Sequence, residues 1–328
     1  SLIFTIGNLG AKIILFFLVP LYTHYLTPSE YGIVELLTTT INIVIPILSL
    51  SIIDSVLRFV MDKNYDNQSV LINSLFVMIF GLLLLLVALP LFELILPYNE
   101  YIHFFYLIFL VQMLNSNFNQ YIRAKGQIKL FAVSGITNAL ALLISNLILL
   151  VFLKLGMDGY FLSIIISNII SGTIIFLKGK IWLDLKVNKI NLKLMREMLL
   201  YSIPLIPNAI MWWAMSSLNR YMIVFFLGLS ANGIYAIASK IPSLLSIINS
   251  IFFQAWQMSA IEEANSKEKS KFYTNVFNVF SVFMLITTSI ILVHLKLIMS
   301  IFSDNYYDSW KYVPFLMLGV VFSSYSSF

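Results

Sequence analysis

Residues 129–178 read KLFAVSGITNALALLISNLILLVFLKLGMDGYFLSIIISNIISGTIIFLK, and this stretch decides the fold class. It contains two apolar segments, 129–153 and 159–178, each close to the roughly 20 residues that a helix needs to cross the hydrocarbon core of a bilayer. Residues 154–158 alone connect them, so the two helices must be antiparallel neighbours. Neither segment alternates between apolar and polar residues, as the strands of a membrane barrel would.

The same pattern continues along the whole chain. Of its 328 residues, 60% are hydrophobic and only 11% are charged, whereas a soluble domain carries about 25% charged residues. A soluble core of this size could not hide that much apolar surface, so the chain is expected to be an all-α integral membrane protein. Ten spans are predicted, at residues 2–25, 30–58, 69–96, 101–123, 129–153, 159–178, 199–227, 232–260, 271–300 and 310–328. The second span has a helix start signal in Thr27, Pro28 and Glu30.

The basic residues of the loops predict the orientation in the membrane. The even-numbered loops, counted from the first span, hold 14 of the 20 lysines and arginines, and the odd-numbered loops hold three. Because basic loops stay in the cytoplasm, the even loops and the N-terminus are predicted to be cytoplasmic. Anionic lipid headgroups are then sufficient partners for the net charge of +5. Nucleic acid is not expected as a partner.

An internal repeat predicts two lobes. YLTPSEYGI at residues 25–33 aligns with FLGLSANGI at residues 226–234, so that Leu26, Ser29, Gly32 and Ile33 fall on Leu227, Ser230, Gly233 and Ile234. The shift of 201 residues crosses six spans, so both copies have the same orientation, as in transporters built from parallel repeats. Chance coincidence of short apolar motifs is the alternative. The predicted units are an N-terminal lobe (1–178), a basic amphipathic cytoplasmic link (179–198) that suits the membrane surface, and a C-terminal lobe (199–328).

Several cationic and amide side chains fall inside the predicted spans. Lys12 lies near the middle of the first span, Arg220 in the outer part of the seventh and Lys240 in the outer part of the eighth. Asn8 shares a helix face with Lys12, and Asn208 lies deeper in the seventh span. Because a charge at mid-bilayer costs about 2.5–3.5 kcal/mol, these five residues are expected to line a cavity. A lumen of net positive charge suits an anionic group such as a pyrophosphate. Snorkelling to the interface is the alternative for Arg220 and Lys240.

The acidic residues inside the spans leave more than one interpretation open. Glu35 could pair with Lys12, Arg220 or Lys240, or it could couple transport to an ion. Asp54 is a second coupling candidate, and with Arg58 at i+4 it could form either a local ion pair or a cytoplasmic gate. Five asparagines of the fourth and fifth spans are expected to form helix–helix hydrogen bonds; they are Asn115, Asn117, Asn119, Asn138 and Asn146.

The sequence shows no signature of catalysis. The chain has no cysteine, its three histidines are isolated near span ends, and it lacks a phosphate-binding GxxxxGK[ST] loop. No loop is long enough to form a soluble catalytic domain. We therefore expect neither an enzyme nor a metal site, and no cofactor.

Two long segments carry a resemblance to a known family. They are GNLGAKIILFFLVPLYTHYLTPSEYGIVELLTTT at residues 7–40 and SIPLIPNAIMWWAMSSLNRYMIVFFLGLSANGIYAIASKIPSLLSIINSIFFQAWQMSAIEE at residues 202–263. With them the chain resembles the Wzx-like polysaccharide flippases of the multidrug/oligosaccharidyl-lipid/polysaccharide (MOP) superfamily. One position departs from the pattern, because family members often have an acid where this chain has Asn219.

The resemblance implies two pseudo-symmetric lobes of about six helices, arranged in a V that opens alternately to each side. It implies a flippase of the bacterial cytoplasmic membrane that moves an undecaprenyl-diphosphate-linked oligosaccharide to the outer leaflet. Polysaccharide polymerase and glycosyltransferases are the expected partners, and coupling to H⁺ or Na⁺ is a hypothesis. The chain starts at Ser1 and ends at Phe328 beside an apolar run, so it is expected to be a fragment with an incomplete second lobe.

Two other functions remain open at this point. An ion-coupled multidrug or cation antiporter of the same superfamily would need essential buried acids, for which Glu35 and Asp54 are the candidates. A membrane glycosyltransferase or polysaccharide polymerase would need a large extracytoplasmic loop, and the odd loops of this chain are short.

Overall fold

The computed structural model describes residues 2–87, 99–263 and 268–328, and within these ranges the chain is helical with no strand. The end of the third predicted span, 88–96, lies outside the described residues, as do the side chains of residues 2–9. The helices are α1 Leu2–Tyr25, α2 Pro28–Leu48, α3 Ile52–Met61, α4 Asn67–Val87, α5 Ile102–Ala124, α6 Ile128–Asn146, α7 Gly156–Lys178, α8 Ile181–Asp184, α9 Leu192–Ser202, α10 Ile206–Leu227, α11 Leu229–Glu262, α12 Lys269–Val293, α13 Leu295–Met299 and α14 Val313–Ser327.

Helices occupy the positions of the predicted spans. Among the described residues, seven segments are long and apolar enough to cross a membrane. Helix α5 is not among the seven, since its asparagines and glutamines lower its hydropathy. Helix α6 continues through a π-helical turn, Leu147–Phe152, to the length of a full span. The chain is therefore an all-α, multi-pass membrane protein.

The second predicted span, 30–58, is wrong as a single helix. Helix α2 ends at Leu48, and both Leu50 and Ser51 have a positive φ, at 52° and 49°. A new hydrogen bond from the Ser51 amide to the Pro46 carbonyl closes the turn at 2.8 Å. Helix α4 passes so close that a Cβ at Gly81 would overlap the Leu48 carbonyl. Neither a glycine nor a proline stands at residues 49–51, so no residue type at the break itself predicts it.

The helix start at residues 27–30 is confirmed. The Thr27 amide and hydroxyl donate to the Glu30 carboxylate at 2.7 and 2.8 Å, and the Glu30 amide donates to the Thr27 hydroxyl at 3.3 Å. Pro28 occupies the first helical position. This is a reciprocal capping box, in which two of the unpaired amides of the first turn gain partners.

The predicted link is mostly helical. Helix α8 and a 3₁₀ turn, Val187–Lys189, precede α9, whose first turn is capped by the Asn191 side chain. Helix α9 then runs through a 3₁₀ turn, Ile203–Leu205, into α10. The seventh predicted span therefore has a helical extension on its N-terminal side.

The chain divides into two compact units, whose residue ranges differ from those of the predicted lobes. Unit 1 contains residues 1–15 and 33–228. Within it α6 packs along α7, α7 packs on α5, and α3 packs on α4, α5 and α9. Its core includes Phe105, Phe109, Tyr121 and Phe161, all fully buried.

Unit 2 contains residues 16–32 and 229–328, so it combines the end of α1 and the start of α2 with α11–α14. Within it α11 packs on α14 and on the 3₁₀ segment Asp304–Lys311, and α12 packs on α11 and α14. The lobe boundaries predicted from the repeat remain a prediction.

Candidate functional site

An ion pair joins α2 and α10 inside unit 1. Arg220 Nη1 lies 3.1 Å from Glu35 Oε2, and the two side chains are only 14% and 12% exposed. Of the three partners that the sequence left open for Glu35, the structure shows an ion pair with Arg220. Two charges so far removed from solvent need each other, because one of them alone would be desolvated without compensation.

Two hydrogen bonds extend this contact along the same helices. The indole of Trp213 donates to the Thr39 carbonyl at 2.9 Å, and the hydroxyls of Thr40 and Tyr221 are 2.6 Å apart. The rings of Trp213 and Tyr221 lie edge to face with centroids 5.5 Å apart. Together with Glu35–Arg220 these contacts form what we name the α2–α10 polar pair.

Sequence reasoning missed part of the α2–α10 polar pair. The run Thr38–Thr40 in an apolar helix was a usable signal, since neutral polar groups in a span seek partners. The side chain of Tyr221, next to Arg220, was not singled out at all. The contact between Thr40 and Tyr221 joins residues 181 positions apart in the chain, and no local sequence pattern specifies this contact.

Among the described residues, Lys12 differs from Arg220 in having no acidic partner. It is half-buried in the middle of α1, and among the described residues no carboxylate forms an ion pair with it. Ala11 and Leu15, on the adjoining face of α1, line a partly open cavity of unit 1.

The other predicted cavity residues are Lys240, Asn208 and Asn8. Lys240 is half-buried on α11 in unit 2, where its side chain interacts with neighbouring groups. Asn208 is exposed near the start of α10. The side chain of Asn8 lies outside the described residues. Asn219, at the position where the resemblance led us to expect an acid, is exposed and has an interaction of its own.

Asp54 and Arg58 lie on α3, and both are exposed. The guanidinium of Arg58 lies 4.3 Å from the ring centroid of Tyr201 and 5.7 Å from that of Phe59. In the described part of the chain no ion pair joins Arg58 to Asp54. The contact that Arg58 makes is therefore a cation–π contact with α9. A gate formed by Asp54 and Arg58 remains a prediction.

The residues that follow α7 are held to α4 and α5 by polar contacts around Asp184. The Asp184 carboxylate accepts hydrogen bonds from the hydroxyl of Tyr121 at 2.9 Å and from Lys125 at 2.8 Å, and a longer one from Gln68 at 3.4 Å. Residues of the second, fourth and sixth loops thus meet in one network.

A second set of contacts fastens the remainder of the link. Asn73 Nδ2 donates to the Asn191 carbonyl at 3.1 Å, and the Asn191 amide donates to Asn73 Oδ1 at 3.2 Å. Lys189 lies 3.1 Å from Asp66. Burial raises the pKa of Asp66, but hydrogen bonds from Lys189, the Gln68 amide and Ser69 outweigh it, so the pKa lies below its ordinary value.

The ring of Tyr65 completes the attachment. Its hydroxyl donates to Glu197 at 3.0 Å, and this hydrogen bond, more than desolvation, raises the pKa of Tyr65 above its ordinary value. The segment 184–197 is therefore held at four points to residues 65–73 and 121–125 of the same unit.

In unit 2 the two repeat copies cross each other at glycines. A Cβ built on Gly32 would overlap the Leu229 carbonyl, and a Cβ built on Gly233 would overlap the Pro28 carbonyl. The repeat places Gly32 on Gly233 and Pro28 on Leu229, so the two contacts are equivalent. Asn232 adds a hydrogen bond to the Gly32 carbonyl at 2.8 Å. We name this contact the glycine crossing.

The glycine crossing lies near a cluster of tyrosines. Tyr22, Tyr31 and Tyr306 are buried, and the Tyr31 ring lies 6.1 and 6.3 Å from the other two ring centroids. The Tyr306 hydroxyl donates to the Leu26 carbonyl at 3.0 Å. Burial, and secondly the charge of Glu30, raise the pKa of Tyr306, so this donor keeps its proton. Residues of the first and ninth loops meet here.

Comparison with known proteins agrees with this architecture. Residues 1–257 match the family described as polysaccharide biosynthesis protein. No curated protein matches the chain. A solved inward-facing multidrug resistance MATE family transporter of the MOP superfamily is 15% identical, with a TM-score of 0.70 over 98% of this chain and 80% of that one.

Two further solved structures give similar figures. MATE in complex with MaL6 is 15% identical, with a TM-score of 0.65 over 99% of this chain and 82% of that one. An outward-facing MATE family transporter is 15% identical, with a TM-score of 0.61 over 99% and 81% of the two chains. At this identity the likeness shows the fold, which is the all-α polytopic fold of MOP-superfamily transporters.

Proposed function

This chain belongs to the polysaccharide biosynthesis protein family, and we propose that it is a flippase for a lipid-linked oligosaccharide. The substrate is a repeat unit on undecaprenyl diphosphate, moved from the inner to the outer leaflet of a bacterial cytoplasmic membrane. The observation that carries the proposal is Lys12, a half-buried cation in an apolar helix that has no acidic partner among the described residues.

A lysine in this setting needs either water or an anion. Its burial in hydrocarbon costs about 2.5–3.5 kcal/mol on insertion scales, and a diphosphate offers the compensating charge. Lys240, half-buried on α11, is the second cation that we assign to the substrate path. Arg220 is already neutralised by Glu35, so we assign it to orienting α10 against α2 rather than to the diphosphate.

The alternative, a cation antiporter, has less support. Such a transporter needs an acid that can meet a cationic substrate. Within the described spans Glu35 is the buried acid, and Arg220 holds it. Family and fold are those of transporters rather than of catalytic enzymes, and we propose that the chain has no enzymatic activity of its own.

The remaining parts of the proposal concern coupling and partners. We propose that transport is coupled to a gradient of H⁺ or Na⁺, and that Glu35 and Asp54 are the candidate coupling residues. We also propose that Asp54 and Arg58 form a cytoplasmic gate. The even loops and the N-terminus face the cytoplasm in this proposal. A polysaccharide polymerase and glycosyltransferases act after and before the flippase.

Reconstitution in proteoliposomes tests the function. A fluorescent undecaprenyl-diphosphate oligosaccharide is placed in the vesicles, and its exposure to an external quencher is followed. We expect protein-dependent exchange between leaflets that falls about tenfold or more in Lys12→Ala, because the diphosphate loses its cation. Lys12→Arg keeps the charge and should retain most of the rate.

Two results would contradict the proposal. Absence of lipid movement, with gradient-driven export of an organic cation from the same vesicles, would favour the antiporter. Equal rates for wild type, Lys12→Ala and Lys12→Arg would remove Lys12 from the substrate path.

A further inference from the structure

Three helices of unit 1 bring polar side chains to one place. Asn115 and Asn119 lie one turn apart on α5, Ser134 and Asn138 one turn apart on α6, and Asn168 and Ser171 about one turn apart on α7. Such i, i+4 and i, i+3 spacings put each pair on one face of its helix. The sequence predicts helix–helix hydrogen bonds for such residues, and the structure confirms them for part of the set.

Four of these side chains form a directed chain of hydrogen bonds. Ser134 Oγ shares its one proton between Asn119 Oδ1 at 2.8 Å and the Phe131 carbonyl at 2.7 Å. Asn119 Nδ2 donates to Asn115 Oδ1 at 3.0 Å, and Asn115 Nδ2 donates to Asn168 Oδ1 at 3.0 Å. Asn168 Nδ2 ends the chain at the Ile164 carbonyl, 2.9 Å away. These bonds tie α5 to both α6 and α7, so the chain holds its amides in fixed orientations.

Hydrogen-bonding capacity remains after this chain is complete. An amide has two N–H donors and two acceptor lone pairs. Asn115 and Asn168 each use one N–H in the bonds described, which leaves them one donor apiece. Asn138 is half-buried, and no hydrogen bond to its side chain occurs among the described residues. Helix–helix contact therefore accounts for Asn115, Asn119 and Asn168, but it does not account for Asn138.

A cavity of about 320 Å³ opens beside these side chains. It is lined by Asn115, Asn119, Asn138, Asn168, Ser134 and Ser171, together with apolar groups of α1 and α6. Its volume is at the lower end of ligand sites, about 300–1,000 Å³, so it has room for one sugar ring but not for an oligosaccharide.

The lining decides which ligands suit the cavity. None of the described lining residues carries a charge, so neither an organic cation nor a phosphate finds a counter-ion there. An apolar ligand would leave amides without partners, at about 1–3 kcal/mol for each buried group. A neutral ligand with several hydroxyl or acetamido groups matches both amide donors and amide acceptors.

We infer that this cavity is a subsite for one uncharged sugar residue of the transported lipid. The sugar would be bound through the side chain of Asn138 and through the N–H groups of Asn115 and Asn168 that remain available as donors. The inference rests on the proposed function and names the part of the substrate that unit 1 binds. Ala11 and Leu15 of α1 line the same cavity, and Lys12 follows Ala11 directly. A sugar in the cavity and a diphosphate near Lys12 would thus lie on neighbouring faces of one helix.

Ligand-detected NMR on the whole protein in lipid nanodiscs tests the inference. The probe is the methyl glycoside of N-acetylglucosamine, whose saturation-transfer signal reports weak binding. We expect Asn138→Leu, which is close to isosteric, to weaken binding about tenfold or more, since a buried polar contact with the ligand is lost. Thr137→Val is the matched control, on the same helix but outside the lining, and it should bind as the wild type does.

The folding of each variant is checked by its thermal unfolding midpoint, and Asn138→Gln, which keeps the amide, should recover part of the affinity. Equal signals from the wild type and Asn138→Leu would overturn the subsite. So would displacement of the sugar by tetraphenylphosphonium, which would mark a site for cations, or absence of any signal, which would mean a cavity filled by water alone.

The flipping assay described above separates this inference from the proposed function. If the wild type and Asn138→Leu move the lipid-linked oligosaccharide at equal rates, and the wild type does not bind the free sugar, the proposed function is supported and the subsite is contradicted. If the sugar binds through Asn138 but no lipid moves between leaflets, the subsite stands and the flippase assignment falls.

Discussion

At the scale of single residues, the charges inside the membrane are treated in two different ways. Glu35 and Arg220 neutralise each other at 3.1 Å, while Lys12 has no such partner among the described residues. Neutralised charges of this kind position helices, because separating them exposes each to a low-dielectric surrounding. A lone cation needs a substrate or water instead. The difference between structural and functional charge here is a matter of neighbours and not of residue type.

We expect Glu35→Gln to destabilise the protein by about 3 kcal/mol, because the buried Arg220 guanidinium loses the carboxylate charge that lies 3.1 Å away. Removing both charges, in Glu35→Gln with Arg220→Met, should recover much of the loss. Thermal unfolding in one detergent measures this cycle, with Asp54→Asn as an exposed control near zero. Additive effects of the two single changes would show that the contact contributes no coupling energy.

The contact between Asp66 and Lys189 should depend on pH in the acid range. The folded-state pKa of Asp66 lies below its ordinary value, so the contact contributes fully above the ordinary pKa, about 3.9. The contribution is lost as the pH falls through the lower, folded-state pKa. Because both side chains are 44% exposed, its size should stay below about 1 kcal/mol.

Hydrogen exchange of residues 187–191 measures that pH dependence. Wild type should be better protected than Asp66→Asn at pH 6, and the difference between the two should vanish towards pH 2. A difference that persists unchanged at low pH would mean that the carboxylate charge of Asp66 does not hold the link.

At the scale of elements, the glycine crossing gives the internal repeat a structural role. Helices α2 and α11 begin with equivalent segments, and each glycine lets the other helix's carbonyl approach. A side chain at either position would keep the backbones apart, as in other close helix contacts in membranes. The repeat therefore encodes a pseudo-symmetric contact between its own two copies, and the capping box at Thr27 and Glu30 fixes where α2 begins.

We predict that Gly32→Ala and Gly233→Ala each destabilise the protein by about 1–3 kcal/mol, since a methyl group must displace backbone atoms rather than a mobile side chain. The symmetry of the contact predicts losses of similar size. Gly319→Ala is the control: nothing lies within 4 Å of its Cβ position, so it should be neutral or slightly stabilising. Thermal unfolding of the three variants decides, and a tolerated alanine at both positions 32 and 233 would argue against close packing there.

At the scale of the whole molecule, the loops sort into two groups. Residues of the second, fourth and sixth loops meet around Asp184 and Asp66 in unit 1. Residues of the first and ninth loops meet around Tyr306 in unit 2. This sorting agrees with spans that alternate in direction. It does not assign either group to the cytoplasm, for which the distribution of basic residues remains the argument.

Single cysteines test that orientation, since the chain contains none of its own. In intact cells, Asn64→Cys in the second loop should resist a membrane-impermeant maleimide, and Ser230→Cys in the seventh should react. Both positions are exposed, so burial does not confuse the comparison. Permeabilised cells provide the control in which both react. The reverse pattern in intact cells would place the N-terminus outside.

The sequence by itself determined the features that repeat or act locally. Long apolar segments specified the spans, since lipid forces a helix to satisfy its own backbone. Neighbouring residues specified the capping box at 27–30, and the shift of 201 residues specified that two copies of one motif exist. Polar residues within spans were recognised as partners or ligands, because an unpaired polar group in hydrocarbon is costly.

Only the tertiary structure decided which residues contact one another. Residues far apart in the chain meet in three places. They meet in the ion pair between Glu35 and Arg220, in the attachment of the link to α4 and α5, and in the cavity beside Asn138. The break at Leu50 and Ser51 is likewise predicted by no residue type at the break itself, and Gly81 of α4 packs against the backbone where α2 ends. Such contacts depend on the spatial arrangement of several helices at once, and a one-dimensional pattern specifies each helix without specifying its neighbours.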